Sequence, residues 1–297
     1  MEQTDELLKH GLIAMSKSME NGFWLHGHVG AEVLTNTFFL LEFEPGNDLK
    51  AAIEERIQRL MASHPQYFDH HLLNVHEKSD IQFLEAELET CTANLSTSGH
   101  GVIFGTLILK AIRKLNGWLP MSVLDGIINL LRNTQSDNPD RYYDHYDYQN
   151  TKVDVADIPD FQTPDEAARY TLAHQDYFRS QELDGKFYHF HGNQLHDITH
   201  ANALVLLNEM GYHQWVKQGL QELRKQIKLG LSAPPNDQQY IARHTFDPLE
   251  PSFWLRDVKD EHHFKLAYAV VHLLDRHKDI DQKEAMNRLS GHWELMH

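Results

Sequence analysis

The stretch His26–Phe43, HGHVGAEVLTNTFFLLEF, decides how the rest of the chain is read. From Val29 to Phe43 it is nearly all apolar and holds no proline. A run of that length exceeds an ordinary strand and suits a helix. Pro45-Gly46 then breaks it. A helix that is apolar nearly all round has to be buried. His26 and His28, at its start, are drawn toward the interior with it, and His28 is the better placed to point inward.

Three further segments repeat the arrangement. SGHGVIFGTLIL carries His100, LHDITHANALVLL carries His196 and His200, and EHHFKLAYAVVHLL carries His262 and His263. Each puts histidine ahead of, or early in, a long apolar helix. Between them the spacing predicts amphipathic helices over 5–20, 48–63, 80–95 and 213–229, and another after Leu119-Pro120. Thr163-Pro164-Asp165-Glu166 is a helix start, with a capping threonine, proline in the first position and acids in the first turn. The third histidine helix is expected to begin near Asn193 and end at Gly211. Residues 134–162 read as a long loop or lid rich in tyrosine (Tyr142, Tyr143, Tyr146, Tyr148), and DPLEPSFW reads as a loop. The helix over DEHHFKLAYAVVHLLDRH is expected to be the last strong one. Strand signals are few. The expectation is one all-α domain over 1–297, a helical bundle or a toroid-like array of helix pairs.

Composition narrows the function. The formal net charge of −16 argues against nucleic acid or an anionic membrane surface as the main partner. No apolar run reaches the ~18 residues of a membrane span, and the polar, acidic N-terminus carries no signal-peptide pattern. A cytoplasmic location is expected. With a single cysteine, Cys91, neither a disulfide framework nor a cysteine-based zinc site is available. The 22 histidines nearly match the 27 lysines and arginines, which turns attention to metal ligation or proton handling.

Position makes that reading specific. A buried imidazole needs a partner at each polar nitrogen. Near a helix N-terminus the dipole disfavours imidazolium, and neutral imidazole is the form that binds metal. His196 and His200 share a helix face at i,i+4, and His262 and Lys265 share one at i,i+3. His263 points about 100° away from His262. His174, His189, His191, His244, His277, His292 and His297 sit in polar settings and read as surface or loop residues. Taken singly, each histidine on an apolar helix is more simply a hydrogen-bonded core residue. Four such placements favour one shared metal site.

The order HGHVGAEVL, SGHGVIFG, LHDITHANAL, DEHHFKLAYA is similar to the questin oxidase-like family of aromatic polyketide pathways. The family's early H-x-H falls on His26 and His28, and its mid-chain histidine on His100. Its L-H-x-x-T-x-x-H-A-L segment falls on Leu195, His196, Thr199, Ala203 and Leu204. Its D-x-H-x-x-K-L falls on Asp260, His262, Lys265 and Leu266. Asn202 stands where the family's second histidine of the third segment would fall, so His196 and His200 both remain candidates. The resemblance implies a non-haem iron oxygenase, with Fe(II) held by His28, His100, His196 or His200, and His262, and dioxygen as cosubstrate. It implies oxidative ring opening of an aromatic, polyketide-like small molecule, by Baeyer–Villiger-like or dioxygenase chemistry. It also implies Lys265 as a further ligand after carboxylation: a desolvated lysine loses its proton more easily, and the free amine adds carbon dioxide. Asp197 or Asp260 would orient a ligand imidazole. A nicotinamide reductant such as NADPH finds no dinucleotide-binding glycine pattern here.

Two other readings fit the residues. His196-Asp197, with His28 or His100 upstream and Asp260 downstream, is the order of an HD-type metal-dependent phosphohydrolase, although Arg169 and Lys186 are the nearest bases for a phosphate. The alternative is a non-enzymatic helical interaction protein whose histidines are structural.

Overall fold

The computed structural model describes the chain apart from residues 1, 136–140, 174–181, 184–185, 188–189, 233–243, 258–261 and 295–297. The fold is all-α. Its helices are α1 (Glu2–Lys17), α2 (Gly27–Phe43), α3 (Asn47–Ser63), α4 (Gln82–Thr92), α5 (His100–Lys114), α6 (Met121–Asn133), α7 (Pro164–Ala173), α8 (Phe190–Glu209), α9 (His213–Gly230), α10 (Pro251–Trp254), α11 (His262–Arg276) and α12 (Gln282–Glu294). The only described strands are two residues each, Glu182–Leu183 paired antiparallel with Lys186–Phe187.

Two compact units are distinguished. The first comprises 1–89, 104–134 and 247–268. Here α2 is the central element: every residue from Gly27 to Phe39 is buried. Most polar side chains of this buried stretch are satisfied, whereas the Asn36 amide makes no hydrogen bond among the described residues. Thr35 donates to the Ala31 carbonyl at 2.9 Å and Thr37 to the Val33 carbonyl at 2.7 Å. Glu32 takes a forked bond from Arg56 of α3, at 2.6 Å from Nε and 3.2 Å from Nη2. The Arg56 guanidinium in turn lies 4.2 Å from the centre of the Phe264 ring. Packing of α1 on α2 is close enough that a Cβ at Gly30 would sit 2.5 Å from the Gly11 carbonyl oxygen. On the other flank of α1, a Cβ at Gly126 of α6 would meet the Ser16 carbonyl at 2.4 Å.

The second unit comprises 90–103, 135–246 and 269–297. In it α8 packs against α7, α9, α12 and the turn at Thr97–Gly99. The start of α7 follows its capping signature: the Glu166 amide donates to Thr163 Oγ1 at 3.2 Å, and the Glu166 carboxylate accepts the Gln162 amide at 2.7 Å.

Several expectations need correction. α8 begins at Phe190 rather than near Asn193, so His196 lies well inside the helix and not at its positive end. The dipole effect fades within the first turn and does not act on it. Two helices escape the sequence reading: α12, whose apolar positions are sparse, and the short α10 inside the expected loop. His277 lies in a loop, as read, but is buried, 3.5 Å from Asp165, and not at the surface. Burial is the main reason its pKa is lowered. Residues 141–163 do form a long connection, but Tyr142 and Tyr148 are fully buried in a cluster with Leu95 and Leu229. Tyr146 is 66% exposed, so these tyrosines do not act as one covering surface. Asp260, His174 and His189 lie outside the described residues, as do the side chains of His191 and His292 and all of His297. No single described helix is long and apolar enough to cross a membrane.

Candidate metal centre

His28 is the second residue of α2 and is buried. Its Nδ1 donates to the carbonyl of Leu25, three residues back, at 2.7 Å. That bond fixes the tautomer and leaves Nε2 with its lone pair. His100, the first residue of α5, uses the same device: its Nδ1 donates to the carbonyl of Thr97, again three residues back. Each carbonyl also accepts a turn amide, the Gly27 N–H at Leu25 and the His100 N–H at Thr97, and its second lone pair takes the imidazole.

The turn before His100 is unusual. Thr97, Ser98 and Gly99 all have positive φ, at 45°, 55° and 80°. Such backbone suits glycine, but costs of order 1–3 kcal/mol at the other two positions. All three residues are buried. The turn turns the Thr97 carbonyl toward the His100 ring.

His196 reaches the site from α8. Its Nε2 lies 3.1 Å from Nε2 of His100. The rings of His28 and His262 lie 3.9 Å apart between centroids. Ligand-type nitrogens of His28, His100, His196 and His262 are all within 4.8 Å of one another. The first three residues are buried and His262 is partly exposed. This buried four-histidine cluster can hold a metal ion. Two nitrogens bound to one ion at about 2.1 Å lie roughly 3.0–3.4 Å apart, which the His100–His196 separation meets. Among the described residues no carboxylate joins the group, and imidazole alone suits zinc, copper, iron or nickel.

The other anticipated residues fall as follows. His200 is buried but outside the cluster. Its Nδ1 donates to Gln226 Oε1 at 2.6 Å, and its buried Nε2 makes no hydrogen bond among the described residues. Burial, opposed by the Gln226 bond, lowers its pKa to about 4, so the ring is neutral. Between His196 and His200, the structure therefore places His196 in the cluster. His263 is buried and also outside it. Lys265 is buried with Nζ 3.3 Å from His28 Nε2 and 5.6 Å from the centre of the Phe104 ring.

Asp197 does not orient a ligand imidazole. It is buried, its Oδ1 makes no hydrogen bond among the described residues, and burial raises its pKa well above the ordinary range. Backbone carbonyls do the orienting at His28 and His100 instead. Two contributors were missed by sequence reasoning: Gln226, which carries no motif, and the left-handed turn, whose one sequence trace is Gly99 before His100.

Comparison with family models, with curated proteins and with solved structures finds no match for this chain.

Proposed function

We propose that the chain is a metal-dependent oxidoreductase, a non-haem iron oxygenase acting on an aromatic small molecule. The observation that carries this reading is the buried cluster of four imidazoles, with no carboxylate among the described residues of the group. Four neutral donors would leave a bound divalent cation its full charge, available to polarise a bound oxygen. An HD-type phosphohydrolase would need Asp197 beside its histidine, and Asp197 stands outside the group.

His28, His100, His196 and His262 would hold the ion. When bound, Fe(II) would supply open positions for dioxygen and a substrate oxygen, and the electrons for their reaction. The chain's own residues prepare the site. The carbonyls of Leu25 and Thr97 keep the Nδ1 protons of His28 and His100, so both rings face inward as bases. Trp24 and Phe104 pack edge or tilted against His28 and exclude water from that side. Lys265, after carboxylation, would add an anionic oxygen at His28. The order of histidine segments that resembles the questin oxidase-like family supports an aromatic hydroxyl-bearing substrate.

Metal content of protein purified without an affinity tag tests the reading, followed by oxygen uptake with polyphenols and hydroxyanthraquinones. About one iron per chain and substrate-dependent oxygen consumption are expected. Phosphatase activity with zinc or manganese and no oxygen uptake would replace the oxygenase with the hydrolase. No stoichiometric metal would make the histidines structural.

A further inference from the structure

We propose that Gln226 is a positioning residue for the metal centre, acting on His100 through the left-handed turn that precedes it. The inference rests on the four-histidine reading of the site, and its test separates the two.

The Gln226 side chain is fully buried on α9 and works from both ends. Its Nε2 donates to the carbonyl of Ser98 at 3.1 Å, and its Oε1 accepts from His200 Nδ1 at 2.6 Å. Because Nε2 is the amide's only donor and Oε1 its acceptor, these bonds fix which way the amide faces. Ser98 is the middle residue of the three with positive φ. Its hydroxyl is held separately, 3.0 Å from Tyr142 Oη and 3.2 Å from Arg141 Nη1. Backbone in that region relaxes unless its surroundings hold it, and the Ser98 carbonyl is the point where α9 does so.

Relaxation would move the Thr97 carbonyl, which is the acceptor for His100 Nδ1. His100 would then lose its fixed tautomer, and Nε2 would be protonated part of the time. A protonated Nε2 cannot bind metal. The space around the turn is also closed: a Cβ at Gly99 would lie 2.9 Å from His200 Nδ1. His200, at the far end of the amide, holds Gln226 in this pose. Neither hydrogen bond of Gln226 goes to a residue of the cluster, so its effect is carried by the turn.

The test compares Gln226→Met with Gln226→Leu, two apolar replacements that lose both bonds and fill the space differently. Far-UV circular dichroism identifies the folded variants. Cobalt(II) titration then reads affinity and visible spectrum, and nitrogen-15 imidazole NMR reads the His100 tautomer without metal. Each folded variant is expected to bind cobalt 10–100-fold more weakly with an altered spectrum, as loss of outer partners does elsewhere. Each is also expected to show a mixture of His100 tautomers. Folded variants with wild-type cobalt affinity and an unmixed His100 tautomer would overturn the proposal. If the wild type binds no cobalt, the four-histidine reading fails, and the tautomer measurement still decides the role of Gln226.

Discussion

His100 and His196 are 96 residues apart in sequence, yet their Nε2 atoms face each other at 3.1 Å inside the protein. One proton between them makes a hydrogen bond; one cation between them makes two ligands. Repulsion between two bare lone pairs at that distance has to be relieved in one of these ways.

The pair therefore separates ligands from bystanders. His100→Ala and His196→Ala are each expected to weaken cobalt(II) binding by more than the ~100-fold that loss of an outer partner costs. His200→Asn keeps a side-chain N–H for Gln226 and should stay within about tenfold of wild type. Equal losses in all three variants would return His200 to the ligand set.

Much of this was legible in advance because burial leaves a strong mark on composition. The apolar run after His28 can only be an interior helix, and a histidine at its head has few places to point. The same logic points to His100 and His262, which lie in the four-histidine cluster. It was weaker for α8, where Gly192 just before Asn193 reads as a break and hides the true start at Phe190. The choice between His196 and His200 depends on how α8 is turned about its axis, which periodicity does not fix when both faces are buried. Asp197 was misread because the carbonyls that orient His28 and His100 belong to the backbone and carry no side-chain signature. Gln226 was invisible for a related reason: its role comes from α9 meeting a strained turn far away in sequence.

Acid sensitivity should trace in part to His200. Its ring protonates near 4 in the folded protein, because burial opposes the charge, and near 6.5 when unfolded. Below pH 6.5 the unfolded chain takes up a proton that the folded chain refuses. Stability therefore falls as pH drops from 6.5 toward 4, by about 3 kcal/mol from this ring. His10 and His277 are lowered too, so the comparison is with His200→Asn. Urea unfolding at pH 7 and pH 4 should show the variant losing about 3 kcal/mol less than wild type. Parallel losses would mean the ring is not held neutral.

Asp197 predicts the opposite trend. Its folded pKa is raised by burial, so above the ordinary carboxylate range the folded state must bind a proton the unfolded state has released. That costs stability as pH rises. Asp197→Asn should accordingly be more stable than wild type at pH 7, with the gap closing toward pH 4. Denaturation in the presence of a chelator keeps a bound cation from altering the carboxyl. A gap independent of pH would show that the carboxylate is solvated after all.

The Glu32–Arg56 pair beneath α2 is a buried charge couple whose halves depend on each other. Arg56→Ala takes this partner from the buried Glu32 carboxylate, at an expected cost of about 3–5 kcal/mol. Replacing both, as Glu32→Leu with Arg56→Met, should recover most of that loss, because the double variant buries no charge and keeps packing against Phe264. Chemical denaturation of the two single variants and the double gives the coupling directly. Additive losses would mean the two side chains do not act as a pair.

Lys265 offers the sharpest test of the iron reading. Its Nζ stands 3.3 Å from His28 Nε2, the nitrogen a metal would take. An ammonium there competes with a cation for the same lone pair. A carbamate, formed when the free amine adds carbon dioxide and releases a proton, would instead bring a negative oxygen to it. The two roles respond differently to bicarbonate. If Lys265 is carboxylated, bicarbonate should strengthen Fe(II) or cobalt(II) binding by the wild type, and Lys265→Met should bind more weakly and ignore bicarbonate. If the lysine only donates a hydrogen bond to His28, bicarbonate changes nothing and Lys265→Met binds at least as tightly as wild type. Metal titrations of both proteins, in carbon-dioxide-free buffer and in bicarbonate, distinguish the outcomes.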